Sequence, residues 1–190
     1  TINEPVVYVW MHYLDGVGPP GAHDLTLALR VMEHLLRAHA ASYHVIHEVA
    51  AAQGWQAMVS LAKHSQPFVP CRRWWLGDRL IAGVTERAYN QGFLEALVEG
   101  RWRLPGRPTV HIPEARQTLD FVGMNYYGRV FMRLVPTSNQ WWGSRCSTRH
   151  HPEVVERNSL DWDIYPPGIR QILQWAAPYN RPILITENGI

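Results

Sequence analysis

Strong charge of either sign is missing from this 190-residue chain. Eighteen basic side chains stand against 16 acidic ones, for a net charge of +2. That balance argues against a nucleic-acid footprint or a polybasic membrane patch. No apolar run reaches membrane-spanning length, and the first residues do not have the make-up of a signal peptide. Cysteine is scarce. Cys71 and Cys146 make neither a disulfide framework nor a zinc ribbon. Free thiols in a cytoplasmic protein are expected, with a single bridge between them left open. No internal repeat or low-complexity tract stands out, and the length suits one core, so residues 1–190 are expected to form one domain or a portion of one. An initiator Met is also lacking, and the chain opens inside a motif. It is therefore expected to be a fragment of a longer protein.

Aromatic residues, by contrast, are plentiful, with nine Trp and eight Tyr. Most are expected in ordinary packing. Some would serve as flat platforms against a ligand such as a sugar ring.

The clearest pattern lies at the two ends. Residues 182–190 read PILITENGI, where Ile183, Leu184 and Ile185 form the short apolar run of a fully buried parallel strand. Glu187 falls where that run stops. Residues 1–5 read TINEP and place Glu4 just before Pro5. Between them, residues 6–13 fit a strand or a helix equally well, and 15–22 (DGVGPPGA) form a loop. Residues 24–52 carry apolar positions at spacings of three and four, which predicts a helix about 40 Å long capped by Asp24. A strand is expected over 55–62, a loop over 63–73, and a helix of imperfect periodicity over 77–98. A connector is expected over 101–113 and a strand over 118–127. Residues 129–165 lack periodicity and are expected as a long loop, followed by a helix over 168–177. Alternating strands and helices imply an α/β fold with a parallel sheet.

In parallel barrels the C-terminal strand ends carry the chemistry, and a carboxylate there needs partners. Two carboxyl groups on one rim are the requirement for cleaving a glycosidic bond with retained configuration. One is protonated and donates to the leaving oxygen; the other is ionised and attacks the anomeric carbon.

TINEP and ITENG resemble the two signature motifs of glycoside hydrolase family 1, the β-glucosidase and β-galactosidase family. The resemblance extends through GPPG at 18–21, HLLRAHA at 34–40, DFVGMNYY at 120–127 and DWDIYPPGI at 161–169. It implies a (β/α)8 TIM barrel, present here in part, from about the end of strand four to strand seven. Strands one to three and eight lie outside it. A partial barrel of this kind is expected to expose sheet edges and to be inactive alone. The resemblance also implies roles. Glu4 is similar to the family's general acid/base and Glu187 to its nucleophile. Asn3 is similar to the residue that bonds the sugar 2-hydroxyl. Tyr127 is similar to the tyrosine that contacts the nucleophile and helps keep it anionic. Asn125 is similar to a polar residue nearby in the cleft, and Trp162 to an aromatic lining the aglycone side. Val6 departs from the family, where many relatives have an aromatic.

The resemblance implies a β-glycoside substrate and no cofactor. A 6-phospho-β-glycosidase, or a non-catalytic carbohydrate-binding relative on the same fold, remains as an alternative. Four histidines share the long helix, at positions 34, 39, 44 and 47. Without a second cluster to complete a shell they are expected to be solvated or packed, with no metal site.

Overall fold

Pro5 sets the first helix. In the computed structural model of the chain, which describes residues 1–136 and 143–189, it occupies the first turn of α1 (Pro5–Val9), where its missing N–H costs nothing. The stretch that fitted strand or helix is thus helical, and it continues through a wider π-helical turn at Trp10–Leu14. Helix α2 (Leu25–Ala52) runs where its spacing predicts. Asp24 caps it, accepting from the backbone N–H of Thr26 at 2.7 Å and Leu27 at 3.0 Å. Ala28, Met32, Leu36, His39 and Ala40 form its buried stripe.

The next strand lies later than expected. Strand β1 is Ala62–His64 and β2 is Phe68–Pro70, so regular pairing occupies the segment read as loop. Residues 55–61 are not a strand because other groups take their backbone. The Asp120 carboxylate accepts from Val59 N–H at 2.7 Å, and Trp55 and Met58 are exposed. Helix α3 (Leu76–Glu86) passes through a π-helical turn at Arg87–Gln91 into α4 (Gly92–Glu99). That wide turn breaks the helical repeat and explains the imperfect periodicity. The expected connector contains a short antiparallel pair, β3 (Arg101–Trp102) with β4 (Val110–His111).

Strand β5 (Val122–Tyr126) is buried along its whole length. The region read as a long loop holds β6 (Val130–Leu134) and β7 (Gly143–Arg145), which pair antiparallel. Helix α5 (Pro167–Ala176) and strand β8 (Ile183–Asn188) close the chain. The expectation of a fully buried final strand is corrected: β8 alternates, and Leu184 is 52% exposed. Among the described residues β8 pairs only with β5, so it is an edge strand.

The central sheet has the order β1-β5-β8, all parallel. Asn3 extends it by a parallel bridge to Ala62. A second sheet, β2-β6-β7, repeats the neighbourhood further along the same two chain paths, since β2 follows β1 and β6 follows β5. Apolar side chains of α2, α4, β5 and α5 form the core on the helix side, including Leu36, Phe93, Leu97, Val122, Met124 and Ile172.

The cysteines are not free. Cys71, just after β2, and Cys146, just after β7, form a disulfide with Cα atoms 6.4 Å apart. Strand β6 brings them together: Cys71 N–H donates to Met132 O at 2.8 Å and Cys146 N–H to Phe131 O at 2.9 Å. Seventy-five residues separate them in sequence, so only the sheet pairing reveals the contact.

Candidate active site

The register of the central sheet places chemistry in one row. His64 at the end of β1 lies opposite Asn125 on β5, and Asn125 lies opposite Glu187 on β8. A bulge makes the second pairing. Ile185 faces Met124, the next pair is Glu187 with Asn125, and Thr186 is left over. Thr186 Oγ1 uses the offset to donate to Asn125 Oδ1 at 2.5 Å.

Glu4 joins the same rim from the chain start. Its N–H donates to Ala62 O at 2.8 Å. Its backbone is left-handed, with φ 44°, a conformation that costs energy in a residue with a Cβ and that clusters at functional sites. It precedes α1 without capping it, which leaves the carboxyl group to the site. Oε1 of Glu4 accepts from Asn125 Nδ2 at 2.7 Å. Burial raises the pKa of Glu4 above the ordinary carboxyl value. The Asn125 hydrogen bond opposes that shift, the Glu187 charge adds to it, and the Lys63 charge opposes it.

Oε2 of Glu187 accepts a short hydrogen bond from the Tyr127 hydroxyl. That bond is the main reason the Tyr127 phenol is pushed up to about 12. Tyr127 meets Trp162 edge to face at 5.7 Å, and Trp162 remains 46% exposed. Both line a cavity of about 620 Å3, together with Glu4, His64, Gln66 and Tyr89. Asn3, Asn125 and Glu187 are not in that wall. Asn125 and Glu187 are tied to it through Glu4 and Tyr127, whereas Asn3 is exposed and reaches the rim by its backbone bridge.

Three of the four helix histidines have separate partners rather than a common one. His39 Nε2 bonds Thr118 O at 2.6 Å, His44 Nε2 bonds Glu114 O at 3.0 Å, and His47 Nε2 bonds Asp120 Oδ2 at 2.8 Å. Among the described residues no group of three His, Cys, Asp or Glu side chains could hold a metal ion.

A family model described as glycosyl hydrolase family 1 matches residues 1–190. The chain belongs to glycosyl hydrolase family 1. It is 29% identical over 207 residues to a "1,4-beta-D-glucan glucohydrolase" of Thermotoga neapolitana, covering all of this chain and 45% of that protein. It superimposes on a "beta-glycosidase from Pyrococcus horikoshii" with a TM-score of 0.82 at 31% identity, over 99% of this chain and 41% of that one. A "Family 1 b-glucosidase from Thermotoga maritima" gives a TM-score of 0.78 at 27% identity, over 100% and 43%. The chain thus spans less than half the length of these relatives. Family 1 glycosidases are TIM barrels, and the α/β architecture with parallel strands found here accords with that fold.

Within this family 1 chain, sequence reasoning missed His64, Lys63, Gln66 and Tyr89. For the first three the signal was the polar cluster KHSQ that ends an apolar run; nothing comparable marked Tyr89. The expected strand at 55–62 hides that cluster, because His64 then falls in a loop. Lys63 is the only lysine in the chain and is fully buried.

Proposed function

We propose that this chain supplies both catalytic carboxyl groups of a retaining β-glycosidase acting on terminal β-linked sugars of the glucoside or galactoside type. One observation carries the reading. Glu4 and Glu187, from opposite ends of the chain, share one rim across β1 and β5, and side chains at or just after the end of β5 hold each of them. Family membership and the names of the relatives support it.

Glu4 is assigned the acid/base role, because burial and the nearby carboxylate favour its protonated form. Glu187 is the nucleophile. It attacks the anomeric carbon while Glu4 gives its proton to the departing oxygen. The glycosidic C–O bond breaks and an ester to Glu187 forms. Ester formation removes the charge that helped raise the pKa of Glu4. Glu4, now ionised, takes a proton from water as the water oxygen attacks the anomeric carbon, which frees the sugar and restores Glu187. Tyr127 positions the nucleophile and Asn125 the acid. Asn3 is assigned to the sugar 2-hydroxyl and Trp162 to the leaving-group side.

In barrel terms the segment around Asn3 and Glu4 is the end of strand four, and β1, β5 and β8 are strands five, six and seven. Their parallel order supports this numbering. No helix among the described residues is long and apolar enough to cross a membrane. The Cys71–Cys146 bridge favours an oxidising compartment over the cytoplasm expected from composition.

The test is mechanism-based labelling of the full-length protein with a 2-fluoro β-glycoside carrying a good leaving group. Peptide mass spectrometry should find one glycosyl adduct, on Glu187. An adduct on another residue, or a product of inverted anomeric configuration, would overturn the scheme.

A further inference from the structure

His64, in the cavity wall, has no part in the scheme above. We propose that His64 is locked as the tautomer protonated on Nε2, and that it donates this hydrogen bond to an oxygen of the leaving group. The enzyme then favours hydroxylated leaving groups, such as a second sugar, over bare aryl groups. The inference rests on the glycosidase reading for its substrate, and on the following geometry for its tautomer.

Successive side chains of a strand point to opposite faces. Lys63 points to the helix side, where its Nζ lies 3.4 Å from Asn90 Oδ1 and 3.3 Å from Ser65 Oγ. His64 therefore faces the other way, into the wall of the 620 Å3 cavity. Its ring is fixed on two sides. It stacks on Tyr127 at 5.8 Å and meets Tyr89 edge-on at 5.9 Å.

Tyr89 decides where the proton sits. Its hydroxyl is 2.6 Å from His64 Nδ1, and no other hydrogen-bond partner of that hydroxyl is found among the described residues. The phenol is almost fully buried, and burial together with the Glu4 charge holds it in the protonated form. A protonated phenol with a single partner donates to it, so Nδ1 is the acceptor. A neutral imidazole that accepts at Nδ1 carries its hydrogen on Nε2. Burial and the neighbouring Lys63 charge keep the ring neutral by lowering its pKa to about 3. Nε2 has no protein acceptor among the described residues, and it is not a sealed, unpaired atom.

Position selects the leaving group as the recipient. His64 sits next to the strand segment that carries Glu4, and across β5 from Glu187. Its donor is thus on the acid's side of the site, where the departing oxygen must lie. The cavity wall combines apolar surface, including Trp10, Phe68 and Phe131, with polar side chains such as Gln66, Arg145 and Asp161. A leaving group that covers this donor without offering it an acceptor strands the N–H, and is penalised for it.

Two measurements on the full-length protein test this. The first is nitrogen NMR of the 15N-histidine-labelled enzyme, with His64 assigned by comparison with His64→Gln. A single neutral form with a bare Nδ1 and a protonated Nε2 is expected through the neutral range. Tyr89→Phe should release the ring into a mixture of tautomers. A proton on Nδ1, or a charged ring near neutral pH, overturns the inference. The second compares a β-disaccharide with the phenyl β-glycoside of the same sugar. His64→Phe should lower kcat/KM for the disaccharide at least about tenfold more than for the phenyl glycoside. His64→Gln, which keeps an N–H donor, should recover part of the difference. Equal losses on the two substrates overturn the leaving-group assignment. A wild-type enzyme that cleaves neither substrate overturns the glycosidase reading instead, and leaves the NMR result to judge the tautomer.

Discussion

Asn125 Nδ2 donates to Glu4 Oε1 at 2.7 Å from a position with no solvent exposure, while its Oδ1 accepts from Thr186. One amide thereby couples the chain start to the strand that carries Glu187. The hydrogen bond favours the ionised form of Glu4, so it works against the burial that raises its pKa. Replacing Asn125 by Ala should therefore raise the pKa of Glu4 further. If Glu4 is the general acid, the basic limb of the pH–rate profile reports its ionisation. That limb should move to higher pH in Asn125→Ala, alongside a stability loss of about 1–3 kcal/mol from the unpaired groups left behind. A basic limb that moves down, or stays in place, contradicts this account of the acid.

Tyr127 makes a different kind of contact. Its hydroxyl donates to Glu187 from just beyond the end of β5. A hydrogen bond to a charged acceptor contributes about 1.5–3 kcal/mol. Tyr127→Phe keeps the ring against His64 and Trp162 but deletes the donor. A drop of roughly 10- to 100-fold in kcat/KM is expected, with little change in thermal stability. Steady-state kinetics on an aryl glycoside checks it. Full activity in the variant would mean that Glu187 does not depend on this tyrosine for orientation.

The long helix and the two terminal motifs were legible in the sequence for physical reasons. A helix of 28 residues repeats its pattern many times, and Asp24 announces its start. Glu4 beside Pro5, and Glu187 after Ile183–Ile185, sit at abrupt changes of polarity. Short elements gave no such repetition. Strand β1 has three residues and its middle one is a lysine, so no period-two pattern marks it. Strand β6 is a short apolar run without alternation and β7 lies in a polar stretch, so pairing across the sheet rather than local preference decides the conformation. The Cys71–Cys146 contact depends on that same pairing. The row His64, Asn125, Glu187 could not be read either, since a one-residue bulge at Thr186 sets which side chains come level.

The disulfide ties the segments that follow β2 and β7 across β6, and Cys146 belongs to the cavity wall. Closing a loop of 75 residues removes chain entropy worth about 4–5 kcal/mol in the simple model of the unfolded state. Reduction of the folded full-length protein, or a Cys71→Ser/Cys146→Ser variant, should lower the unfolding free energy by up to that amount. Denaturant midpoints with and without reductant measure it. Reductant should have no further effect on the double variant, and a thiol titration of the unreduced, denatured wild type should find neither cysteine free.

Lys63 has the sharpest consequence for stability. It is fully buried, and its pKa falls from 10.5 to about 7. Burial is the main cause, opposed by the charges of Glu86 and Glu4. A folded-state value below the unfolded one means that the unfolded chain binds more protons between about pH 7 and 10.5. Stability from this group therefore rises with pH across that window and is lowest at and below about pH 7. Lys63→Met removes the titration while filling most of the same space. Relative to the variant, the wild type should gain up to about 1.4 kcal/mol per pH unit within the window. The variant should be the more stable of the two on the acid side, and its advantage should shrink steadily toward pH 10.5. Urea melts of both full-length proteins across this range provide the comparison. Parallel curves would show that Lys63 keeps its proton in both states, and that the Glu4 and Glu86 charges outweigh its burial.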